Sequence, residues 1–364
     1  MNNSELFTIL CDCLAFTDDN DRLHSILSAP DFPWEAFIES ASKRLVTPAL
    51  HNALGSKGLL SEIPSDVTDY LEAAQYLNRE RNQELLGDLQ RIAEELNSQG
   101  ITPVALKGGA SLAENLYPDP GMRVLSDLDI LIPRERLESC IEILQNLDFQ
   151  IQPGFRDELS DYCHHYYPLA KTDGVTVIEL HLEMIYEGCQ EMLPLTLLKG
   201  NTRTITWQNS QIAVLSPTLR LLHNILHTHI ADKNFYFSLV NLRQLYEFGM
   251  IVQNAGADLD WSLIFNRFRN GTSLQVLEHY MLLGNALLNI PIPLEVQNQA
   301  VCDKALKNLL WRIEHPGYLA IHKTSVVFRE NLVNALREPG KFRRLFNPEW
   351  ISFRLKKLGE IWSR

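Results

Sequence analysis

Between Val104 and Pro133 the chain reads VALKGGASLAENLYPDPGMRVLSDLDILIP: an apolar run, a break at Gly108-Gly109, a short helical segment, a proline-rich turn and a second apolar run. Few folds accept a strand, a tight turn, a helix and a returning strand in so short a space. The returning strand carries Asp127 and Asp129. Side chains two apart on a strand share a face, so both carboxylates point the same way, about 6–7 Å apart. Such a pair is a candidate metal site. A strand-start cap at Asp127 and an exposed polar residue at Asp129 are the ordinary alternative.

The flanks read as helix. At 364 residues the chain exceeds one small core, and two or three domains are expected. From Asn3 to about Ser98 apolar residues recur at helical spacing. In the last segment, opened by Pro64 or Ser65, the positions Val67, Tyr70, Leu71, Ala74, Leu77, Leu85, Leu89, Ile92 and Leu96 form one stripe, and Gly100 is the expected stop. Strand and helix signals then alternate: strands over 101–106 and 127–132, helices over 110–117 and 134–147, a hairpin of 166–170 with 175–182 around Asp173-Gly174, and another of 204–207 with 211–215. Ser216-Pro217, a cap followed by proline at the first helical position, reopens a helical pattern that continues to the end. The expected fold is therefore α+β: an N-terminal helical region (1–100), a small mixed sheet with helices (101–215) and a C-terminal helical domain (216–364).

Charge narrows the partners. A net charge of −12 disfavours bulk nucleic acid, whose affinity for proteins comes mainly from Lys and Arg. The stretch 323–364 is the exception, with ten Lys or Arg against four Glu, interleaved with Phe and Trp. Packing on an acidic body is its simplest use, and contact with an acidic partner or an anionic membrane surface the other. Six cysteines at 11, 13, 140, 163, 189 and 302 lack paired zinc-site spacing and read as reduced thiols. With no signal-peptide pattern and no apolar run of about 18 residues, a cytoplasmic location is expected.

The chemistry concentrates further along the chain. On the strand Val175–Leu182, Val175, Val177, Glu179 and His181 share a face. Glu179 thus offers a third carboxylate on a strand able to neighbour the first pair. Three such acids suit two divalent cations about 3.5–4 Å apart, and oxygen ligands favour Mg²⁺ or Mn²⁺ over zinc. Gly108-Gly109, after a strand and before a helix, lets the backbone approach an anion, and Lys107 and Arg123 are cations suited to a triphosphate. His223 and His227, four apart on a helix, lack a third metal ligand nearby and are expected to pack near the cleft, where one could touch substrate, as could His181. His164-His165 divides between a substrate role and a strand-edge pair.

The series L-K-G-G, L-Y-P-D-P-G-x-R, S-D-L-D-I-L-I and V-I-E-L-H resembles the uncharacterised bacterial nucleotidyltransferase family of the DNA polymerase β-like superfamily, over roughly Leu106 to Leu182. The resemblance implies that Gly108 and Gly109 form the phosphate-side turn, that Asp127 and Asp129 are the metal-binding pair, and that Glu179 is the third acid. Two departures stand out. Gly109 replaces a serine frequent in the superfamily, with Ser111 nearby as a nucleotide contact, and Asn241-Leu242 stands where an Asp-Leu step is common. The expected function is transfer of a nucleoside monophosphate (NMP) from a nucleoside triphosphate (NTP), such as ATP, to a hydroxyl or phosphate of a small-molecule or protein acceptor, with two Mg²⁺ or Mn²⁺ ions and release of pyrophosphate. The alternative is a catalytically silent nucleotide- or partner-binding module.

Overall fold

The computed structural model describes residues 1–326 apart from 18, 19, 153–163, 208, 270, 297 and 324. Cys163 and the basic tail from 327 onward lie outside the described residues. Helices α1 (Asn3–Leu14), α2 (Asp21–Leu27), α3 (Trp34–Lys43), α4 (Thr47–Ser56) and α5 (Ser65–Ser98) come first. The middle of the chain contributes β1 (Val104–Ala105), α6 (Lys107–Ala113), β2 (Leu128–Leu131), α7 (Leu137–Asn146), β3 (Phe149–Ile151), β4 (Leu169–Lys171), β5 (Val177–His181), β6 (Thr202–Trp207) and β7 (Ser210–Leu215). Then follow α8 (Pro217–Ile225), a π-helical turn (Leu226–Ala231), α9 (Asn234–Phe237), α10 (Leu242–Ala255), α11 (Trp261–Arg267), α12 (Gly271–Leu288) and α13 (Gln299–Glu314). None of the described helices is long and apolar enough to cross a membrane.

Among the described residues the strands form one sheet in the order β3-β4-β5-β2-β1-β7-β6. It is mixed, because β2 runs parallel to β5 and β1 parallel to β7 while the other neighbours are antiparallel. The fold is α+β, as the alternation of signals in 101–215 led one to expect. Both hairpins form, and Ser216 caps α8 by accepting from the Leu219 amide. Strands β1 and β2 are shorter than expected, and β3, too short to show a period of its own, was not expected.

Alternation along the strands divides the sheet into two faces. Leu128 and Ile130 of β2 and Ile178 and Leu180 of β5 enter one apolar core with Leu85, Leu89, Ile92 and Leu96 of α5 and Leu144 of α7. Asp129 and Leu131, one residue out of phase, face the other way, and Leu131 joins a second core built from helices of both ends of the chain, including Leu10, Phe37, Leu50, Phe248 and Tyr280. The acidic positions therefore lie where the sheet meets the helical body.

The expected stripe on α5 buries Leu71 but is unbroken only in its second half. Tyr70 and Leu77 are 50% and 67% exposed, while Gln75, Asn78 and Asn82 face inward. Gln75 Oε1 meets His51 Nδ1 at 2.8 Å, and what the two asparagines face is backbone. Asn78 Nδ2 donates to the carbonyls of Gly121 (2.7 Å) and Arg123 (3.0 Å), and Asn82 Nδ2 to those of Pro120 (2.6 Å) and Arg123 (2.7 Å). A leucine there would bury those carbonyls unpaired. Gly121 permits the approach, since a Cβ on it would lie 2.4 Å from the Gln75 carbonyl oxygen. Further along α5, buried Asp88 accepts from Lys171 Nζ (2.6 Å) and Thr176 Oγ1 (2.5 Å), which ties the β4–β5 hairpin, and with it the Glu179 strand, to the helix.

Candidate active site

Parallel pairing sets Asp129 of β2 directly beside Glu179 of β5, and two residues on, Leu131 beside His181. Because Glu179 and His181 share a face, His181 Nε2 comes within 2.8 Å of Asp129 Oδ1 and 3.7 Å of Glu179 Oε2. One ligand atom from each of Asp129, Glu179 and His181 lies within 4.8 Å of the others, the convergent set among the described residues. Asp127 stands beside it, half-buried, with its carboxylate accepting from Ser126 Oγ at 2.7 Å.

Lys107 closes this cluster from the β1 side. Its backbone is left-handed (φ 47°), a conformation that costs a non-glycine residue about 1–2 kcal/mol, and its Nζ lies 2.5 Å from Asp129 Oδ1. The adjoining glycines serve another purpose: a Cβ on Gly108 would lie 2.3 Å from Leu125 Cδ2, and one on Gly109 3.4 Å from Leu128 Cδ2. Gly108 thus lets the first turn of α6 pack closely on Leu125, and Gly109 is much less constrained.

The charges are mutually compensating but incomplete. Burial works to raise the Asp129 carboxyl, yet Lys107 and His181 outweigh it and hold that group far below the usual range. Burial opposes charge on Glu179 and His181 too. The His181 and His165 imidazoles nonetheless hold Glu179 low, and hydrogen bonds to Asp129 and Glu179 hold His181 high. Asp127 moves the other way, raised by burial and by the negative charge of Asp129. An added cation would relieve that group most directly. The half-buried rings of His164 and His165 lie 5.6 and 5.3 Å from the His181 ring, and burial with the neighbouring imidazoles pushes His164 down to about 4.

Behind Lys107, the helical body supplies a polar cavity lined by Arg220, His223, Asn224, His227, Thr228, Gln244 and Glu247. His223 and His227 therefore share one wall with Lys107. Burial, then the Lys107 charge, pushes His223 down to about 3 and His227 well below its ordinary value, so both are neutral imidazoles. His223 Nε2 is buried without a hydrogen-bond partner.

Ser111 and Arg123, expected at the triphosphate, are held by other protein groups. Glu247, reaching from α10, accepts from Ser111 Oγ (2.6 Å) and Arg123 Nε (2.5 Å), and Arg220 donates to Ser111 Oγ (2.8 Å) while pairing with Glu114. Arg123 is only 3% exposed, and its remaining donors reach the Val124 carbonyl and Gln244. Both side chains are committed to a buried network that ties α6 and the 118–123 loop to α8 and α10. Sequence reasoning missed its centre, Glu247, whose one visible sign is a lone acid between Tyr246 and Phe248 in an apolar run. Asn241 caps α10 by accepting from the Gln244 amide, a task an aspartate performs equally.

Comparison with known proteins completes the description. A family model described as "Uncharacterised nucleotidyltransferase" matches residues 30–289, more than two thirds of the chain. Similar solved structures include the solution structure of the antibiotic-resistance factor ANT(2'')-Ia, at 14% identity and TM-score 0.38 over 55% of this chain and 98% of that one. A crystal structure of ANT(2'')-Ia in complex with adenylyl-2''-tobramycin matches at 14% and 0.35 over 50% and 95%. An antigenic nucleotidyltransferase-like protein from Paracoccidioides brasiliensis matches at 18% and 0.35 over 60% and 96%. Comparison with curated proteins gave no match.

Proposed function

This chain belongs to the uncharacterised nucleotidyltransferase family, and from that membership we propose that it moves an NMP from an NTP to a hydroxyl or phosphate of a small-molecule or protein acceptor, releasing pyrophosphate. The observation that carries the proposal is the register of β2 on β5, which sets Asp129 and Glu179 side by side with His181 and draws their ligand atoms within 4.8 Å. Asp127, Asp129 and Glu179 would hold the divalent cations, Mg²⁺ or Mn²⁺. When bound, such ions stabilise the charge that builds on the phosphoryl oxygens during in-line displacement.

The chain's own groups have separable tasks. Asp129 remains ionised through its contacts with Lys107 and His181, and Glu179 through His181 and His165. Glu179 is 20% exposed in its side chain, against 4% for Asp129, so it is the better placed of the two to take a proton from an acceptor. Lys107 bridges the acidic cluster and the polar cavity, a position suited to the negative charge of a triphosphate. Gly108 and Gly109 lie in the first turn of α6 beside it, where a phosphate could approach the helix start. Of the two neutral histidines, His223 is buried at the cavity wall, and half-buried His227 is the one suited to contact a substrate, by hydrogen bond rather than by charge. An NTP donor calls for a cytoplasmic setting.

One observation favours a second role, a nucleotide-binding module without catalysis: Lys107 Nζ and His181 Nε2 already neutralise Asp129 Oδ1. Incubating the purified chain with α-labelled NTPs, Mg²⁺ or Mn²⁺, and pools of small-molecule or protein acceptors separates the two. Label transferred to an acceptor, or to the chain itself as added mass, supports the enzyme. Saturable NTP binding with no transfer supports the module.

A further inference from the structure

Spacing in the sequence leads to a cation site of carboxylate oxygens alone. The folded geometry adds a nitrogen. His181 Nε2 stands 2.8 Å from Asp129 Oδ1 and 3.7 Å from Glu179 Oε2. Divalent ions of this size hold oxygen and imidazole nitrogen at about 2.0–2.2 Å, so neighbouring ligands in one coordination shell lie about 3 Å apart. The two separations bracket that edge. The arrangement is held by the sheet, since Asp129 and Glu179 are register partners and His181 is two residues beyond Glu179 on the same face. His181 is 1% exposed and its other nitrogen, Nδ1, has no hydrogen-bond partner, so the ring is turned with Nε2 toward the carboxylates.

We propose that His181, releasing to solvent the Nε2 proton it shares with Asp129 when a cation enters, is a direct metal ligand, which makes this a mixed nitrogen–oxygen site that holds a first-row transition ion more tightly than Mg²⁺. The proposal rests on the metal-dependent function above and names the ion class that function would use. Imidazole nitrogen is a favourable ligand for transition ions, whereas Mg²⁺ keeps to carboxylate, phosphate and water oxygens. A histidine that merely orients Asp129 by hydrogen bond would place no nitrogen in the coordination shell of the ion.

The test uses the full chain with Mn²⁺ alone and Mg²⁺ alone, reading affinity by calorimetry and the ligand atoms of bound Mn²⁺ by electron spin echo envelope modulation. Mn²⁺ is expected to bind at least about tenfold more tightly than Mg²⁺, with ¹⁴N coupling from imidazole. His181→Gln, which keeps an amide able to hydrogen-bond Asp129, is expected to lose the imidazole coupling and to narrow the preference. Bound Mn²⁺ without ¹⁴N coupling in the wild-type chain overturns the proposal, a result that needs no variant to fold. Coupling that persists in a folded His181→Gln variant overturns it as well. If Mg²⁺-supported transfer is nevertheless seen, only the ligand assignment fails; if neither ion binds, with or without NTP, the metal-dependent function fails with it.

Discussion

Asp129 and Glu247 are both carboxylates buried against the preference of a charge for water, and each is kept ionised by a cation lodged beside it. At Glu247 that cation is Arg123, with 3% and 4% of the two side chains exposed. Removing one partner of such a pair leaves the other charge buried and unpaired, at a cost of about 3–5 kcal/mol. Glu247→Gln should therefore lower stability by roughly that amount in urea denaturation near neutral pH. The pH dependence has a definite sign. Burial opposes ionisation of Glu247, but Arg123 and Ser111 outweigh it and set its folded pKa below the ordinary value. Its contribution is then fully present above the unfolded pKa of about 4.3 and is lost as pH falls through the lower, folded pKa. In that acid window wild type should lose stability more steeply than Glu247→Gln, and parallel curves would rule the pair out as the source. Gly108→Ala, by contrast, should destabilise at every pH by about 1–3 kcal/mol through overpacking on Leu125, with Gly109→Ala milder; equal melting temperatures for both would contradict the packing account. The acids and glycines were legible because their spacing repeats a strand's period and a turn's composition. The left-handed Lys107 was not, since positive φ is announced in a sequence mainly by Gly, Asn and Asp.

Helix α5 illustrates where periodicity carries information and where it stops. From Leu85 to Leu96 the helix buries apolar side chains against the sheet, so the spacing of leucines reports the buried face. From Asn78 to Asn82 it covers the backbone of the 118–123 loop, and the asparagine side chains are inward because carbonyls need donors. Hydrophobic spacing cannot report a polar partner that lies 40 residues away. Asn82→Leu, which would extend the expected stripe, should cost about 1–3 kcal/mol by leaving the Pro120 carbonyl unsatisfied and removing one of the two donors to the Arg123 carbonyl; a variant as stable as wild type in thermal unfolding would mean that those bonds are replaced by water. Strand β2 was legible as an element and as a face. Strand β5 was too, but the contact of His181 with Asp129 depends on the β2–β5 register, which no local pattern specifies.

On the scale of the whole molecule, the two helical regions at either end of the chain meet in one core. Phe16 donates its amide to the Leu288 carbonyl at 2.8 Å, and its ring packs so closely on α10 that a Cβ on Gly249 would fall 2.1 Å from Phe16 Cε2. That union was not visible from composition, because amphipathic helices declare a buried face without declaring its partner. Its consequence is functional: α8 and α10, fixed by this core and by Glu247, bring His223, His227 and Arg220 to the cavity behind Lys107. Sheet and helical body thus meet at the acids that define the proposed chemistry. The most direct measurement is transfer of label from α-labelled ATP to an acceptor, or its NTP-dependent release as NMP, by wild type and Asp129→Asn, with folding checked by circular dichroism. The account predicts metal-dependent transfer by wild type and a loss of at least about a hundredfold, some 3 kcal/mol of barrier, in a variant that remains folded. Undiminished transfer by folded Asp129→Asn would contradict it.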